Sequence, residues 1–215
     1  MDHEQRAVLA IAQRSRSADS ISALARPAAG SRNSRAVRLR ADQIPPPAVP
    51  AEALDDRIAI VGTAGSGKTY AAKGFVERLL DSGTRVTVVD PLGVWWGLRA
   101  SADGVAPGYP VIVFGGRHAD VPITADMGAA LGRIIAREAL ACVVDLSELG
   151  SSAARRRFMA SFCETLYESN EEPLHLVLDE ADLWAPQRPI KAGKAFSVIS
   201  KKSCAAAACA VSSRG

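Results

Sequence analysis

From about residue 54 onward, short runs of consecutive apolar residues alternate with longer stretches in which apolar residues return every three or four positions. Arg57–Val61, Arg85–Val89, Val111–Phe114, Ala141–Leu146 and Leu174–Leu178 are the short runs; they are rich in Val, Ile and Leu and mostly stop at Gly, Asp or Pro. Runs of this kind, with little polar alternation, mark strands buried on both faces. Lys68–Asp81, Asp126–Ala139 and Ser151–Ser169 carry the helical period. In the first of these, Ala71, Ala72, Phe75, Val76, Leu79 and Leu80 fall near one face, and Ser82-Gly83 closes the segment. Ser151 or Ser152 is placed to cap the third. Strands alternating with helices predict an α/β fold, a mostly parallel sheet covered by helices on both faces.

The pattern is weaker before residue 54. Met1–Arg16 predicts a short helix, and the Ser-, Ala- and Arg-rich stretch to about Ser34 has no period and reads as disordered. Arg35–Arg40 alternates apolar and basic residues, as a short strand does, and Ile44–Pro50 is a stiff, Pro-rich spacer. Three segments result: a basic leader over 1–53, a core over 54–190 and an atypical tail over 191–215. The net charge of +3 is concentrated in the leader, since residues 1–50 hold eight Arg against four acidic residues while the remainder holds 18 basic and 19 acidic. Such an arm is either a solvated leader or a nucleic-acid contact.

No run of 18 apolar residues exists, and the N-terminus lacks the apolar stretch of an export signal, so a cytoplasmic protein with no membrane partner is expected. The four cysteines form no Cys-x-x-Cys pair and the three histidines are scattered, so no zinc site is expected. Cys142 lies in an apolar strand and reads as a small hydrophobe.

The candidate chemistry begins at Gly62-Thr63-Ala64-Gly65-Ser66-Gly67-Lys68-Thr69, which fits G-x-x-x-x-G-K-[ST], the P-loop pattern. Glycines let the backbone N–H groups curl around phosphate oxygens. The helix beginning near Gly67 turns its free N–H groups and positive dipole end toward the same oxygens. Lys68 has the reach for the β- and γ-phosphates, and the Thr69 hydroxyl suits Mg²⁺. With Tyr70 directly after it, this segment is the candidate site for a magnesium nucleotide, ATP above all.

A second candidate is the apolar strand Leu174–Leu178, which ends in Asp179-Glu180. A parallel strand delivers its C-terminal residues to the edge where α/β sheets bind ligands. There Asp179 is a candidate Mg²⁺ group, direct or through water, and Glu180 a candidate catalytic base for the attacking water. Lys68 is the other candidate catalytic residue. Asp90 and Asp145 also end strands, either as outer groups of the site or as caps of the following turn. His175, between leucines, reads as a core histidine.

Ile60–Tyr70, Val88–Arg99 and Leu174–Pro189 together resemble the HerA/FtsK-like branch of P-loop ATPases, in particular bacterial proteins with a HerA-type helicase central domain. The likeness spans roughly residues 54–190. The P-loop alone marks a superfamily; the Asp90-Pro91-Leu92-Gly93-Val94-Trp95 segment and the Asp179–Gln187 segment are much narrower signals. The resemblance implies a RecA-like core that hydrolyses ATP with Mg²⁺, commonly in hexameric rings that move along double-stranded DNA. Lys68, Thr69, Asp179 and Glu180 match the family's nucleotide and catalytic positions. Trp95, Trp96 and Trp184 receive no role from it; packing is the ordinary reading and a stacked adenine the alternative.

The family continues past the second carboxylate motif with a polar sensor strand, further strands and an arginine that reaches a neighbour's nucleotide. Only 35 residues follow Glu180 here, and Ala205–Val211 lacks amphipathic period. Read one base back through GC-rich codons, Lys201–Ala210 becomes a basic helix end, so the tail is expected to be out of frame and the C-terminal part of the core missing. The sensor strand belongs between the P-loop strand and the Asp-Glu strand. Its loss implies a gap in the sheet, exposed apolar edges, poor stability and little turnover. Two other functions fit the residues: a regulatory protein that holds nucleotide without turnover, and a small-molecule kinase with Arg155-Arg156-Arg157 as its lid.

Overall fold

The structure is a computed structural model that describes residues 58–63, 65–101, 104–138, 140–184 and 206–213, the last segment as backbone. The expected helix at Met1–Arg16, strand at Arg35–Arg40, Pro-rich spacer and residues 185–205 lie outside the described residues, as does Ala64 of the glycine loop.

Among the described residues six strands form one parallel sheet: β1 (Ala59–Gly62), β2 (Val86–Asp90), β3 (Ile112–Phe114), β4 (Cys142–Asp145), β5 (Leu174–Leu178) and β6 (Ala206–Ser213), in the order β1-β6-β5-β2-β4-β3. The α-helices that accompany them are α1 (Lys68–Asp81), α2 (Gly128–Glu138) and α3 (Ser152–Ser169). The α/β fold expected from the pattern is present, and α1 and β5 have the expected bounds.

The period-two alternation of the strands divides the core. Val86, Val88, Val143 and Val177 point to one face, where they pack with Ala72, Phe75, Val76 and Leu79 of α1. Val89, Val144, Leu174, Leu176 and Leu178 point to the other, against Leu131 and Ile135 of α2 and Phe158 and Phe162 of α3. Every residue of β2, β4 and β5 is buried, so these strands needed apolar side chains on both faces, which is why they read as uninterrupted runs. Removing a large side chain such as Phe162, 0% exposed, from a core of this kind costs about 3–5 kcal/mol.

Helix ends follow local chemistry. Ser151 caps α3 by accepting the Ala154 N–H at 3.1 Å, one of the two caps expected. Arg85, just ahead of β2, donates to the Ile135 and Ala136 carbonyls at the end of α2, at 2.8 and 3.2 Å. A cation there satisfies orphan carbonyls and suits the negative end of the helix dipole.

The expected gap at the sheet centre is corrected. β6 lies between β1 and β5 and pairs in parallel with both, Ala59↔Ala210 on one side and Leu178↔Ala210 on the other. The tail thus supplies a strand at the position expected of the sensor strand. An alanine-rich segment has low intrinsic strand preference. Two flanking strands with open ladders override that preference, since each offers a row of N–H and C=O groups that must otherwise go unpaired.

Candidate functional site

All six strands run the same way, so β1 and β5 end at one edge of the sheet, separated by the single strand β6. Two inter-strand spacings amount to about 10 Å. That edge therefore gathers the glycine loop after β1 and the Asp179-Glu180 pair after β5, the two candidate segments of the sequence.

Beyond Gly62 the chain turns through left-handed conformations at Gly65 (φ 76°) and Gly67 (φ 85°), and α1 begins at Lys68. Side chains are costly at such angles, which accounts for glycine at both positions. Ser66 N–H donates to the Thr63 carbonyl at 3.2 Å, closing the turn. Lys68 Nζ donates to the same carbonyl at 2.8 Å, so the ammonium lies over the loop. Thr69 is half-buried in the first turn of α1, whereas Tyr70 points outward at 86% exposure. The first residues of α1 leave their N–H groups directed at the loop, the usual disposition for an anion.

Asp179 is fully buried. Its N–H donates to the Val89 carbonyl at 3.1 Å and thereby continues the pairing with β2. Its Oδ1 accepts the Glu180 N–H at 3.0 Å, and its Oδ2 accepts the Trp95 indole N–H at 2.8 Å. The Trp184 indole donates to its carbonyl at 3.1 Å. Glu180 follows with φ 47° and ψ 53°, the one non-glycine residue at positive φ among those described. A residue with a Cβ pays about 1–2 kcal/mol for that conformation, and such strain collects at functional positions. Asp182 sits in the short 3-10 turn Ala181–Leu183.

Asp90 and Asp145 are register partners on β2 and β4, both buried. Asp90 Oδ1 accepts from Leu92 N–H at 3.0 Å and Gly93 N–H at 2.8 Å, and its Oδ2 accepts from Trp95 N–H at 2.7 Å. Asp145 Oδ1 accepts from Ser147 N–H at 2.8 Å. Both therefore cap turns, one of the two roles open to them. Burial pushes the Asp90 carboxyl above its usual range; the three N–H bonds oppose this and the neighbouring Asp145 charge adds to it. Cys142 and Cys163 are buried free thiols that burial pushes up to about 12, which makes them inert.

Packing alone does not describe the three tryptophans. Trp95 is 0% exposed and bonds to the Asp179 carboxylate, Trp184 bonds to the Asp179 backbone, and Trp96 stacks on His118 at 3.9 Å between ring centroids. The link of Trp95 and Trp184 to Asp179 is not legible in the sequence, because no periodicity connects Trp95 with a residue 84 positions away.

The oxygen donors that the edge offers, the Thr69 hydroxyl and the Asp179 carboxylate, suit a hard cation such as Mg²⁺. Among the described residues no three His, Cys, Asp or Glu side chains cluster as a metal cage. Magnesium bound beside nucleotide phosphates uses only one or two protein groups and has no need of a cage.

Sheet, loop and strand-end acids define the class: an α/β chain with a parallel sheet that carries a P-loop-type glycine loop at one edge. Residues 39–110, a third of the chain, match the family model of the helicase HerA central domain. The solved structures similar to this chain include the following two. The genome packaging NTPase B204 from Sulfolobus turreted icosahedral virus 2, in complex with ATP-gammaS, has a TM-score of 0.42 and 15% identity over 75% of this chain and 67% of that one. The pCW3 conjugation coupling protein TcpA, a monomer form with ATPgS, has a TM-score of 0.36 and 15% identity over 74% of this chain and 43% of that one, so the chain spans less than half of TcpA. No curated protein matches the chain. No helix among the described residues is long and apolar enough to cross a membrane.

Proposed function

We propose that this chain binds Mg-ATP between the Gly62–Thr69 loop and the Asp179-Glu180 pair, and that it hydrolyses the γ-phosphate as the core of a HerA/FtsK-like DNA-translocating motor. The observation that carries the reading is the shared edge, with a glycine loop and helix N-terminus after β1 and a buried aspartate followed by a glutamate after β5. In this reading Gly62 to Tyr70 surround the nucleotide, and Lys68 leaves the Thr63 carbonyl to meet the β- and γ-phosphates. Thr69 and Asp179 would hold the Mg²⁺, which supplies charge neutralisation on the phosphates. Glu180 orients and deprotonates the attacking water. Double-stranded DNA as partner, a hexameric ring and a cytoplasmic setting belong to the same proposal and rest on the family likeness.

The kinase alternative loses support because Arg155 is held on its own loop: it donates to the Leu149 carbonyl at 3.2 Å and to the Ser147 carbonyl at 3.0 Å. The test compares the chain with Lys68→Ala and Glu180→Gln. Lys68→Ala is expected to lose nucleotide binding. Glu180→Gln is expected to keep binding and to lose turnover by about 100-fold or more, the scale of a lost general base. Binding without turnover in the unaltered chain would favour the regulatory reading instead, and binding undiminished in Lys68→Ala would remove the site from the loop.

A further inference from the structure

We propose that Trp95 is a positioning residue for the metal-bearing carboxylate; the proposal rests on the reading of Asp179 given above. A buried indole N–H requires an acceptor, and the one that Trp95 meets is the carboxylate of Asp179, with Oδ2 at 2.8 Å across 84 residues of sequence. The ring is itself held on several sides. Its backbone N–H is bound by Asp90 at 2.7 Å, and Lys73 Nζ lies 5.7 Å from the ring centroid while donating to the Val94 carbonyl at 2.7 Å. Asp90, Lys73 and Trp95 thus form a relay that fixes the direction of one N–H bond.

The consequence for Asp179 is geometric. A carboxylate oxygen has two lone pairs, and the indole occupies one on Oδ2. With Glu180 N–H on Oδ1, the carboxylate plane is set from both oxygens, and the remaining lone pairs point in fixed directions. A hydrated Mg²⁺ demands near-ideal octahedral geometry, so an acid that cannot rotate offers it a prepared ligand. Partners that orient a metal ligand in this way are typically worth about 10- to 100-fold in metal affinity.

The test uses the whole chain. Trp95→Phe keeps an aromatic ring and removes the N–H. The Mg²⁺ midpoint for tight ATP-gammaS binding is expected to rise about 10-fold or more, while nucleotide affinity measured without Mg²⁺ stays within about twofold. A packing role would lower thermal stability and leave the Mg²⁺ midpoint in place, and that result overturns the proposal. A second measurement does not depend on that variant folding. The chain has three tryptophans, so Trp96→Phe with Trp184→Phe leaves Trp95 as the sole indole emitter. Its emission is expected to change saturably as Mg²⁺ is added to the ATP-gammaS complex, and to stay flat when Asp179→Ala is added. A flat response with Asp179 intact overturns the proposal. If the unaltered chain binds no ATP-gammaS with or without Mg²⁺, the nucleotide reading fails and takes this one with it; binding with an unmoved midpoint removes this one alone.

Discussion

Replacing Asp90 by Asn tests how the turn that carries Trp95 is held. Asp90 receives three backbone N–H donors, two on Oδ1 and one, from buried Trp95, on Oδ2. An asparagine has one acceptor oxygen. Its better orientation keeps Leu92 and Gly93 satisfied and turns the amide NH₂ toward the Trp95 N–H, leaving a buried donor without an acceptor. That costs about 1–3 kcal/mol. The variant also removes a charge that burial disfavours, and this second effect depends on pH. Because the folded-state pKa of Asp90 is raised above its ordinary 3.8, the folded protein holds this proton more tightly than the unfolded chain. The associated stability is complete below the unfolded value and is lost as pH rises through the folded value. The loss is about 1.4 kcal/mol for each pH unit by which the titration is displaced. The substituted amide has no such titration. Asp90→Asn is therefore expected to be less stable than the parent near pH 4, by at most about 1–3 kcal/mol because the hydroxyl oxygen of the protonated carboxyl still accepts where the amide NH₂ does not, with the deficit shrinking toward pH 7. Urea unfolding of both proteins across that range measures it. A deficit that stays constant or widens with rising pH refutes the sign of the shift, and no deficit near pH 4 refutes the role of the three hydrogen bonds.

Three further outcomes follow from the same structure. Gly116 has φ 69°, and a Cβ there would lie 1.9 Å from Asp145 Oδ2, so Gly116→Ala is expected to cost about 2–4 kcal/mol and to lower Tm by about 5–10 °C in calorimetry. Gly74 lies inside α1, and beyond the helix's own backbone no heavy atom comes within 4 Å of the place a methyl would take, so Gly74→Ala is expected to raise stability by about 0.5–1 kcal/mol in urea unfolding; a loss would show that the helix face is crowded. A chain ending at Ala205 lacks β6 and leaves β1 and β5 without their shared partner, so it is expected to lose cooperative urea unfolding and to bind a hydrophobic dye; an unchanged midpoint and slope would deny β6 its place in the sheet.

The sequence determined the parts of this protein whose cause is local. Apolar runs marked strands within a residue or two of their bounds, because a strand buried on both faces requires such runs. The glycine loop was legible because left-handed turns at Gly65 and Gly67 exclude most other residues. Ser151 was legible because a hydroxyl before a helix satisfies its free N–H groups. The tertiary structure decided what depends on distant partners. Asp90 and Asp145 turned out to be turn caps, since each carboxylate meets N–H groups that only the folded loop presents. Trp95 reached Asp179 because β2 and β5 are neighbours, which sequence separation conceals. The alanine-rich tail became a strand because β1 and β5 left two open ladders, and the free energy of pairing both outweighs the weak preference of the residues themselves.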